Sequence, residues 1–425
     1  MTNHINKFLS ISLLLITATV ARANKKNEIQ LSVVGDLMCH MMQIHYAYIG
    51  KGEYDFFPQF KVIAPILQKA DCTIGNLETT ISNASIGYYG YPLFRTPGAY
   101  VAALKRAGFD ILTTINNHSL DGGSFGIDNT LNVIKSYRLA HTGTFYAYEE
   151  PITPLQYNVN GINFAIIAFT HSLNCNEWFI PKEELPNRYI LIQDKKRVKL
   201  MVERAKALNP DFIIACVHWG EEYFLQPNNE QKEQAKFLAH LGVDIILGSH
   251  PHVPQPLELI TLTDKNGIKK NVPVIYSLSN FVANMGHNNH PHSDIGIILN
   301  LNFAPRGEGD DKDDSNNVDN SEETTNYFYS LGSGNFYLKS ITYQPTWIHI
   351  FDYNNNHEKR CKKGFEVVPL LEDYSHLEVE HTPFSANAIT RYNQAYKDVT
   401  THLNREFFMP VKYQRDSGNI VEEPN

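Results

Sequence analysis

The chain has 425 residues, of which 43% are hydrophobic and 19% are charged, and its net charge is -8 at neutral pH. This composition is typical of a globular protein, and the length is enough for one large domain or two smaller ones. Residues 304–326 hold eight acidic side chains against two basic ones, so most of the net charge lies there. The remainder is nearly balanced, which excludes the basic surface of a nucleic-acid-binding protein, and we expect no nucleic-acid partner.

The N-terminal residues have the pattern of a signal peptide. Lys7 supplies a positive charge, residues 8–21 are apolar, and an A-x-A cleavage pattern ends at Ala23. The apolar stretch is short for a helix that spans a bilayer, although an uncleaved anchor is the alternative. We therefore predict that residues 1–23 are a signal peptide. The protein is then exported and is periplasmic, secreted or associated with the cell envelope.

From residue 29 to residue 248, apolar runs typical of buried strands alternate with helical patterns. The predicted strands include Ile29–Val34, Ile111–Leu112, Phe212–Ala215 and Ile245–Leu247. The predicted helices are Ala99–Ala107, Gly126–Arg138, Asp194–Leu208 and Asn229–Leu241. Gly108 and Gly242 end the first and the last of these helices. The alternation predicts a layered α/β fold.

After residue 272 the pattern is dominated by strands. The predicted elements are strands at Val274–Leu278, Ile295–Leu301, Tyr327–Ile350 and Phe365–Leu370, and a helix at Ala386–Phe408. Residues 304–326 are acidic and have no apolar face to bury, so we predict a disordered insert there. The chain then divides into a main domain over residues 28–303, this insert, and residues 327–425. The last part contributes strands that complete the domain and a terminal helical region, or forms a small separate unit.

Five short segments carry side chains that are common metal ligands, and most of them follow a predicted strand. They are V-G-D ending at Asp36, G-N-L-E ending at Glu78, I-N-N-H ending at His118, V-H-W-G around His218, and G-S-H-P-H ending at His252. Ligand sites in α/β sheets form at the carboxyl ends of the strands. Asp, Glu, Asn and His side chains that meet there make a metal pocket lined by oxygen and nitrogen. Each motif alone is as well explained by a loop cap, but five in this order favour a metal site.

The order Asp, Glu, Asn-His, His, His-x-His resembles the calcineurin-like metallophosphoesterases. Segments such as 116–121 (N-N-H-S-L-D) and 276–281 (Y-S-L-S-N-F) are more similar to the poly-γ-glutamate capsule-synthesis proteins of the CapA type, over about residues 31–299. The resemblance implies a four-layer metallophosphatase-like sandwich, in which helices flank two mixed sheets, with additional C-terminal strands and a helix. It also implies one or two divalent metal ions, with Mn, Zn, Fe and Mg as the candidates.

The resemblance implies a set of metal ligands and a catalytic pair. The implied ligands are Asp36, Glu78, Asn117, His218, His250 and His252. Asn117, His218 and His250 would hold one ion, Asp36 and His252 the other, and Glu78 would lie between them. Met38 replaces the histidine that phosphoesterases have after the first Asp, so the second ion has one ligand fewer unless His40 substitutes.

His118 is implied as a general acid or as a ligand for a substrate oxyanion. Asp121, three residues later, either orients His118 or caps the turn that follows. Residues predicted to contact the substrate are Arg95, Asn76, Trp219, Glu222 and Asn280. For Arg95 a surface salt bridge is the alternative. Asn76 can instead orient a ligand, and Asn280 can hydrogen-bond a loop that carries a ligand.

The favoured function is that of an exported, metal-dependent protein of capsule or envelope-polymer biosynthesis that is hydrolase-like at its metal centre. Its partners would be an anionic polymer such as poly-γ-glutamate, or its precursor, and membrane-associated synthesis proteins. One alternative is a non-catalytic metal-binding scaffold of the envelope, which Met38 favours. Another is a secreted phosphodiesterase or nucleotidase.

Overall fold

The computed structural model describes residues 28–149, 152–263, 269–306, 331, 334–372, 377, 384–403, 413–416 and 419–422. The predicted signal peptide and all but the first residues of the predicted acidic insert lie outside the described residues. So does the start of the segment that follows the insert, up to residue 330.

The described residues form twenty strands and eight α-helices. In chain order the strands are β1 (Ile29–Leu37), β2 (Tyr48–Gly50), β3 (Glu53–Tyr54), β4 (Cys72–Leu77), β5 (Thr80–Ser82), β6 (Arg95–Pro97), β7 (Ile111–Thr113), β8 (Ala140–Thr142), β9 (Leu155–Val159), β10 (Ile162–Thr170), β11 (Phe212–His218), β12 (Ile245–Ser249), β13 (Pro254–Thr263), β14 (Lys269–Leu278), β15 (Asn280–Val282), β16 (Ile295–Pro305), β17 (Phe336–Asp352), β18 (Lys363–Pro369), β19 (Tyr413–Asp416) and β20 (Asn419–Glu422). The helices are α1 (Met41–Ala47), α2 (Ala64–Leu67), α3 (Ala99–Ala107), α4 (Gly123–Ser136), α5 (Leu185–Arg188), α6 (Lys195–Ala207), α7 (Asn229–Leu241) and α8 (Ala386–His402). Two 3₁₀ helices lie at Phe57–Phe60 and Asn176–Phe179.

Two large mixed sheets dominate the molecule. The first has the order β18-β17-β16-β1-β4-β7-β8, and β15 also pairs with β1. The second has the order β13-β14-β12-β11-β10-β9. In the first sheet, the half formed by β1, β4, β7 and β8 is parallel, and β16 lies antiparallel to β1. In the second sheet, the central strands are parallel, and the edge strands β9 and β13 are antiparallel to their neighbours. Beyond the insert, β17 and β18 lie antiparallel to β16 in the first sheet.

The strands of the first sheet are apolar on both sides. One apolar side packs face to face against the second sheet, and the other side packs against helices. In β1, Leu31 and Val33 belong to the core between the sheets, whereas Val34 belongs to a second apolar cluster on the other side. Phe303 of β16 bridges the sheets, with ring-centroid distances of 5.2 Å to Phe164 and 4.8 Å to Phe212. One continuous core therefore lies between them.

Helices cover the outer faces of both sheets. Met201 of α6 and Leu238 of α7 pack with the second sheet, and Ile44, Leu67 and Leu104 of α1, α2 and α3 pack against the first. The C-terminal helix α8 contacts β17 and β13. The predicted α/β sandwich of two mixed sheets flanked by helices is thus confirmed.

Of the four helices predicted before residue 248, three lie within one residue of the predicted bounds, whereas α4, predicted at Gly126–Arg138, begins three residues earlier and ends two residues earlier. Helices α3 and α7 have the predicted ends, and both stop at a glycine with left-handed backbone, Gly108 (φ 114°) and Gly242 (φ 100°). Helix α6 is one residue shorter than predicted at each end, because Asp194 and Leu208 are its N-cap and C-cap residues. Asp194 accepts a hydrogen bond from the Arg197 N–H.

Candidate metal centre

The polar segments meet where parallel strands of the two sheets end. In the first sheet, Asp36 of β1 is in register with Asn76 of β4. In the second sheet, His218 of β11 is in register with Ser249 of β12. Because the sheets face each other, these ends form one pocket.

A close approach between backbones holds β1 at this position. The Asp36 N–H donates to the Ser279 carbonyl at 2.9 Å. A Cβ atom on Gly35 would lie only 1.8 Å from that carbonyl oxygen. Glycine is therefore required before Asp36, because any side chain would push β1 away from the loop between β14 and β15.

His218 lies at the centre of a buried cluster. Its Nε2 is 2.8 Å from Asn117 Oδ1, 3.1 Å from His250 Nδ1 and 3.5 Å from Glu78 Oε1. Its Nδ1 is 2.9 Å from Ser249 Oγ. The structure therefore brings together the four residues that the resemblance assigns to one ion and its bridge.

Asp36 and His252 form the second half of the cluster. Asp36 Oδ2 is 3.3 Å from His252 Nδ1, and it also accepts from the His250 N–H at 3.3 Å. His252 Nε2 is 4.0 Å from Glu78 Oε1. His250 and His252 have left-handed backbone, with φ of 99° and 58°, so this segment is a strained turn that aims both imidazoles at Glu78.

Glu78 is the least satisfied group in the pocket. Its side chain is fully buried, and neither carboxylate oxygen has a hydrogen-bond partner. Burial raises the pKa of Glu78 well above its usual value, and the nearby carboxylates of Asp36 and Glu222 raise it further. An ionised carboxylate in this position is strongly unfavourable without a cation.

The donor atoms around Glu78 fit a divalent cation. Two groups have ligand atoms within 4.8 Å of one another, namely Asp36, Glu78 and His218, and Glu78, His250 and His252. Glu78 belongs to both groups, as a bridging carboxylate would. Mixed imidazole and carboxylate ligands suit Zn²⁺, Mn²⁺ or Fe²⁺.

The protonation states of the histidines favour metal binding at His218 and His250. Burial lowers the pKa of both imidazoles well below the usual value, and neighbouring histidines lower it further. Neutral imidazole is the form that ligates a metal. At His252 burial also acts to lower the pKa, but the contact with Asp36 and the charge of Glu222 outweigh it, so the pKa is raised.

His118 and Asp121 form a buried pair beside this cluster. His118 Nδ1 is 2.7 Å from Asp121 Oδ2, which also accepts from the Phe94 N–H at 2.7 Å. The other oxygen, Asp121 Oδ1, accepts from Asn176 Nδ2 at 2.9 Å. Burial raises the pKa of Asp121, and the contacts with His118, Phe94 and Asn176 act in the opposite direction. Of the two interpretations of Asp121, the geometry favours orientation of His118.

Three residues predicted to contact the substrate are buried among the framework of the pocket, and for Asn76 and Asn280 the contacts match the alternative role beside a ligand. Trp219 is fully buried, and its indole N–H donates to the Tyr276 carbonyl at 3.0 Å, so it lies in the core and not on the pocket rim. Asn280 is also fully buried, and its Oδ1 is 2.9 Å from His252 Nδ1, so it positions that imidazole. Asn76 Nδ2 donates to Asp36 Oδ1 at 2.7 Å, so its amide orients a carboxylate.

Arg95 and Glu222 remain near the surface. The Arg95 guanidinium donates from Nε and Nη2 to the Asp121 carbonyl, at 3.0 and 2.9 Å, and does so beside the His118 pair. Glu222 is exposed but close enough to act on the pKa values of Glu78 and His252. Among the residues that the structure describes, Arg95 forms no salt bridge, and contact of Arg95 and of Glu222 with a substrate stays a prediction.

No other histidine near Asp36 takes the place of the ligand that Met38 replaces. Met38 packs in an apolar cluster with Phe94, Ala283 and Ile348. His40 Nδ1 accepts from the Asn284 N–H at 3.2 Å, and burial lowers its pKa to about 4. Within the described part of the chain His40 joins neither group of ligand atoms, so the suggestion that it substitutes is not supported.

The loop that follows β10 contributes residues that the sequence interpretation missed. The ring of His171 is 4.7 Å from that of His250, and its Nδ1 is 3.1 Å from the His218 carbonyl. Asn174 Oδ1 accepts from Asn117 Nδ2 at 3.4 Å, and the next asparagine, Asn176, donates to Asp121. The apolar run Ile162–Thr170 has the pattern of a buried strand. The residues of this loop could therefore have been predicted from their place after the carboxyl end of that strand.

Comparison with known proteins places this architecture in a family. The profile described as "Bacterial capsule synthesis protein PGA_cap" matches residues 30–285, more than half of the chain. The PGA biosynthesis protein CapA of Bacillus subtilis (strain 168) is 30% identical over 231 residues, which are 53% of this chain and 57% of that protein. The capsule biosynthesis protein CapA of Bacillus anthracis is 29% identical over 276 residues, 62% of each chain.

The match thus spans about three fifths of the length of these relatives. Among solved structures, the sulfate thiohydrolase SoxB of Termus thermophilus in complex with glycerol is 11% identical, with a TM-score of 0.37 over 88% of this chain and 61% of that one. The match to the family profile, together with the two relatives, shows that the chain belongs to the bacterial capsule synthesis protein family.

Proposed function

We propose that the protein is an exported, divalent-metal-dependent enzyme that hydrolyses or transfers a bond in an anionic capsule or envelope polymer, such as poly-γ-glutamate, or in its precursor. The observation that carries the metal dependence is Glu78, whose two buried carboxylate oxygens lack hydrogen-bond partners among imidazoles and a second carboxylate. The polymer class comes from the two relatives, which are named for PGA and capsule biosynthesis.

The residues that would hold the metal are the two groups that share Glu78. Neutral His218 and His250 would ligate on one side with Asn117, and Asp36 and His252 on the other. A divalent cation bound there supplies Lewis-acid polarisation of a substrate oxygen and lowers the pKa of water.

His118 is the residue best placed to move a proton. The Asp121 carboxylate, 2.7 Å from Nδ1, accepts a hydrogen bond from that nitrogen and so fixes the tautomer and the orientation of the ring, which leaves Nε2 for the substrate. His118 then donates the proton on Nε2 to the leaving group of the substrate. Asn176, Phe94 and Arg95 hold Asp121 in place, so the pair is oriented before the substrate binds.

The proposed location rests on the signal-peptide pattern of residues 1–23. Among the residues that the structure describes, no helix is long and apolar enough to cross a membrane. An exported enzyme meets envelope polymer and the membrane-associated proteins that synthesise it. These are the partners that we propose.

The test combines metal analysis with a substrate screen. Purified full-length protein and His218→Ala are compared for bound metal and for turnover of γ-glutamyl amides, poly-γ-glutamate and small phosphoesters. We expect His218→Ala to lose both the metal of the centre around Glu78 and turnover. His240→Ala serves as the matched control, because His240 is an exposed histidine on α7 and should change neither. Turnover that persists in His218→Ala without metal would contradict the proposal.

A metal-binding scaffold without catalysis is the second candidate, and Met38 favours it. A methionine buried in an apolar cluster leaves the ion beside Asp36 with one imidazole fewer than phosphoesterases have. A wild-type protein that binds metal and polymer but turns over none of the three substrate classes would support the scaffold. Preference for small phosphoesters would instead indicate a phosphodiesterase or nucleotidase.

A further inference from the structure

A second cluster of metal-ligating side chains lies away from Glu78. His287 and His292 belong to the loop between β15 and β16, and Asp398 belongs to α8. One ligand atom from each lies within 4.8 Å of the other two. None of the three belongs to the first centre, and the elements that carry them are more than a hundred residues apart.

The distances and donor types fit a tetrahedral transition-metal site. His292 Nδ1 is 3.2 Å from Asp398 Oδ2, close to the edge of a tetrahedron with ligands about 2.0–2.1 Å from a zinc ion. The rings of His287 and His292 are 5.7 Å apart and nearly perpendicular. Two imidazoles and one carboxylate are typical ligands of Zn²⁺ sites that keep an open position.

The loop is folded so that both imidazoles face α8. The N–H groups of Asn289 and His290 donate to the Gly286 carbonyl, which turns the chain between the two histidines. His292 has left-handed backbone with φ of 69°, which is unfavourable for a residue with a side chain. The His292 N–H donates to His287 Nδ1 over a long distance of 3.3 Å. An ion bound by His287 Nδ1 would replace this weak contact.

Neighbouring side chains orient Asp398 and balance the charge. Gln394 Nε2 donates to Asp398 Oδ1 at 2.7 Å, and Arg391 Nη1 donates to Oδ2 at 2.9 Å. The guanidinium alone would repel a cation, but Arg391 also donates to both oxygens of Asp294, at 2.8 and 2.7 Å. Two carboxylates and one guanidinium leave a net negative charge beside the two imidazoles, which favours a divalent cation.

The site is accessible to an ion in solution. The side chains of His287, His292 and Asp398 are 34%, 22% and 11% exposed. His287, Asp294 and Arg391 also line a cavity of about 990 Å³ between the loop and α8. An ion held by three protein ligands would therefore have an open position that water or an anion can occupy.

We propose that His287, His292 and Asp398 form a second, peripheral site for a transition-metal ion of the zinc type. The ion joins the C-terminal helix α8 to the loop between β15 and β16. This site shares no ligand with the centre around Glu78, and it is independent of the proposed function.

The test counts zinc ions in the full-length protein. Metal-free wild type, His292→Ala and His287→Gln are equilibrated with Zn²⁺, dialysed and measured by elemental analysis. We expect wild type to retain one equivalent more than either variant, and His240→Ala to retain as much as wild type. Cobalt loading should show the same difference as visible absorption typical of a tetrahedral site, present in wild type and reduced in both variants.

Equal zinc and equal cobalt absorption in wild type and both variants would overturn the proposal. If His292→Ala does not fold, the comparison is made with His287→Gln alone. The His287 side chain is 34% exposed, so its replacement is tolerated more easily. His218→Ala separates this proposal from the proposed function. The single variant His218→Ala should lose the metal of the centre around Glu78. The double variant His218→Ala, His292→Ala should lose one further equivalent of zinc.

Discussion

Replacement of Asn76 by alanine tests whether this residue is part of the framework of the metal pocket. Asn76 Nδ2 donates to Asp36 Oδ1 at 2.7 Å, and its Oδ1 accepts from Thr113 Oγ1 at 3.1 Å and from Asn116 Nδ2 at 3.3 Å. A buried hydrogen bond contributes about 1 kcal/mol, and one to a charged group about 1.5–3 kcal/mol. The Asn76→Ala variant should therefore lose about 3.5–5 kcal/mol of unfolding free energy, which corresponds to about 4–6 °C in melting temperature for a chain of this size.

The assay is urea unfolding of metal-free protein followed by metal titration. Because Asp36 loses the amide that fixes it, we expect metal affinity to fall by about 10–100-fold. Thr113→Val is the matched control, since it removes only one of the bonds to Asn76 and should lose about 1 kcal/mol. An Asn76→Ala variant as stable as wild type, with unchanged metal affinity and weaker substrate binding, would refute this reasoning and restore Asn76 as a substrate contact.

Three further predictions concern His118, the backbone contact at Gly35 and the acidic insert. His118→Ala should lower turnover by about 10²–10⁴-fold while bound metal, measured by elemental analysis, stays unchanged; loss of metal would make His118 a ligand. Gly35→Ala should destabilise the protein by about 3 kcal/mol or more in thermal unfolding, because its Cβ would lie 1.8 Å from the Ser279 carbonyl oxygen; a melting temperature equal to that of wild type would contradict the backbone contact. Deletion of residues 307–326 should leave melting temperature and metal content unchanged, since this acidic composition has no apolar face to bury; a drop of many degrees would mean that the segment is packed.

The meeting of the polar segments could be predicted because it depends on a general property of parallel sheets. Asp36 and His218 end strands of different sheets, yet both ends lie at the same edge of the sandwich. The order of the motifs then allowed Glu78 and His250 to be added by resemblance. Periodicity alone did not reveal that two sheets face each other, because pairing between distant strands leaves no local pattern.

The roles of the residues next to the ligands were harder to predict. His218 ends β11 facing the pocket, so Trp219 points the other way, into the core, and strand alternation could have shown this. The place of Asn280 follows from its register with Asp36 across β1 and β15, a short parallel pairing that no sequence pattern indicates. His171 was missed because strand β10 was not recognised, although its apolar run ends directly before this residue.

The most direct test of the central claim is anomalous diffraction from crystals of the protein soaked with Mn²⁺ or Zn²⁺. The claim is that Glu78, buried without a hydrogen-bond partner, is a metal ligand. We expect an anomalous peak about 2.0–2.2 Å from a carboxylate oxygen of Glu78 and within the same distance of a nitrogen of His218, His250 or His252. Crystals that show no peak beside Glu78, while the protein remains active in the presence of a chelator, would contradict the account.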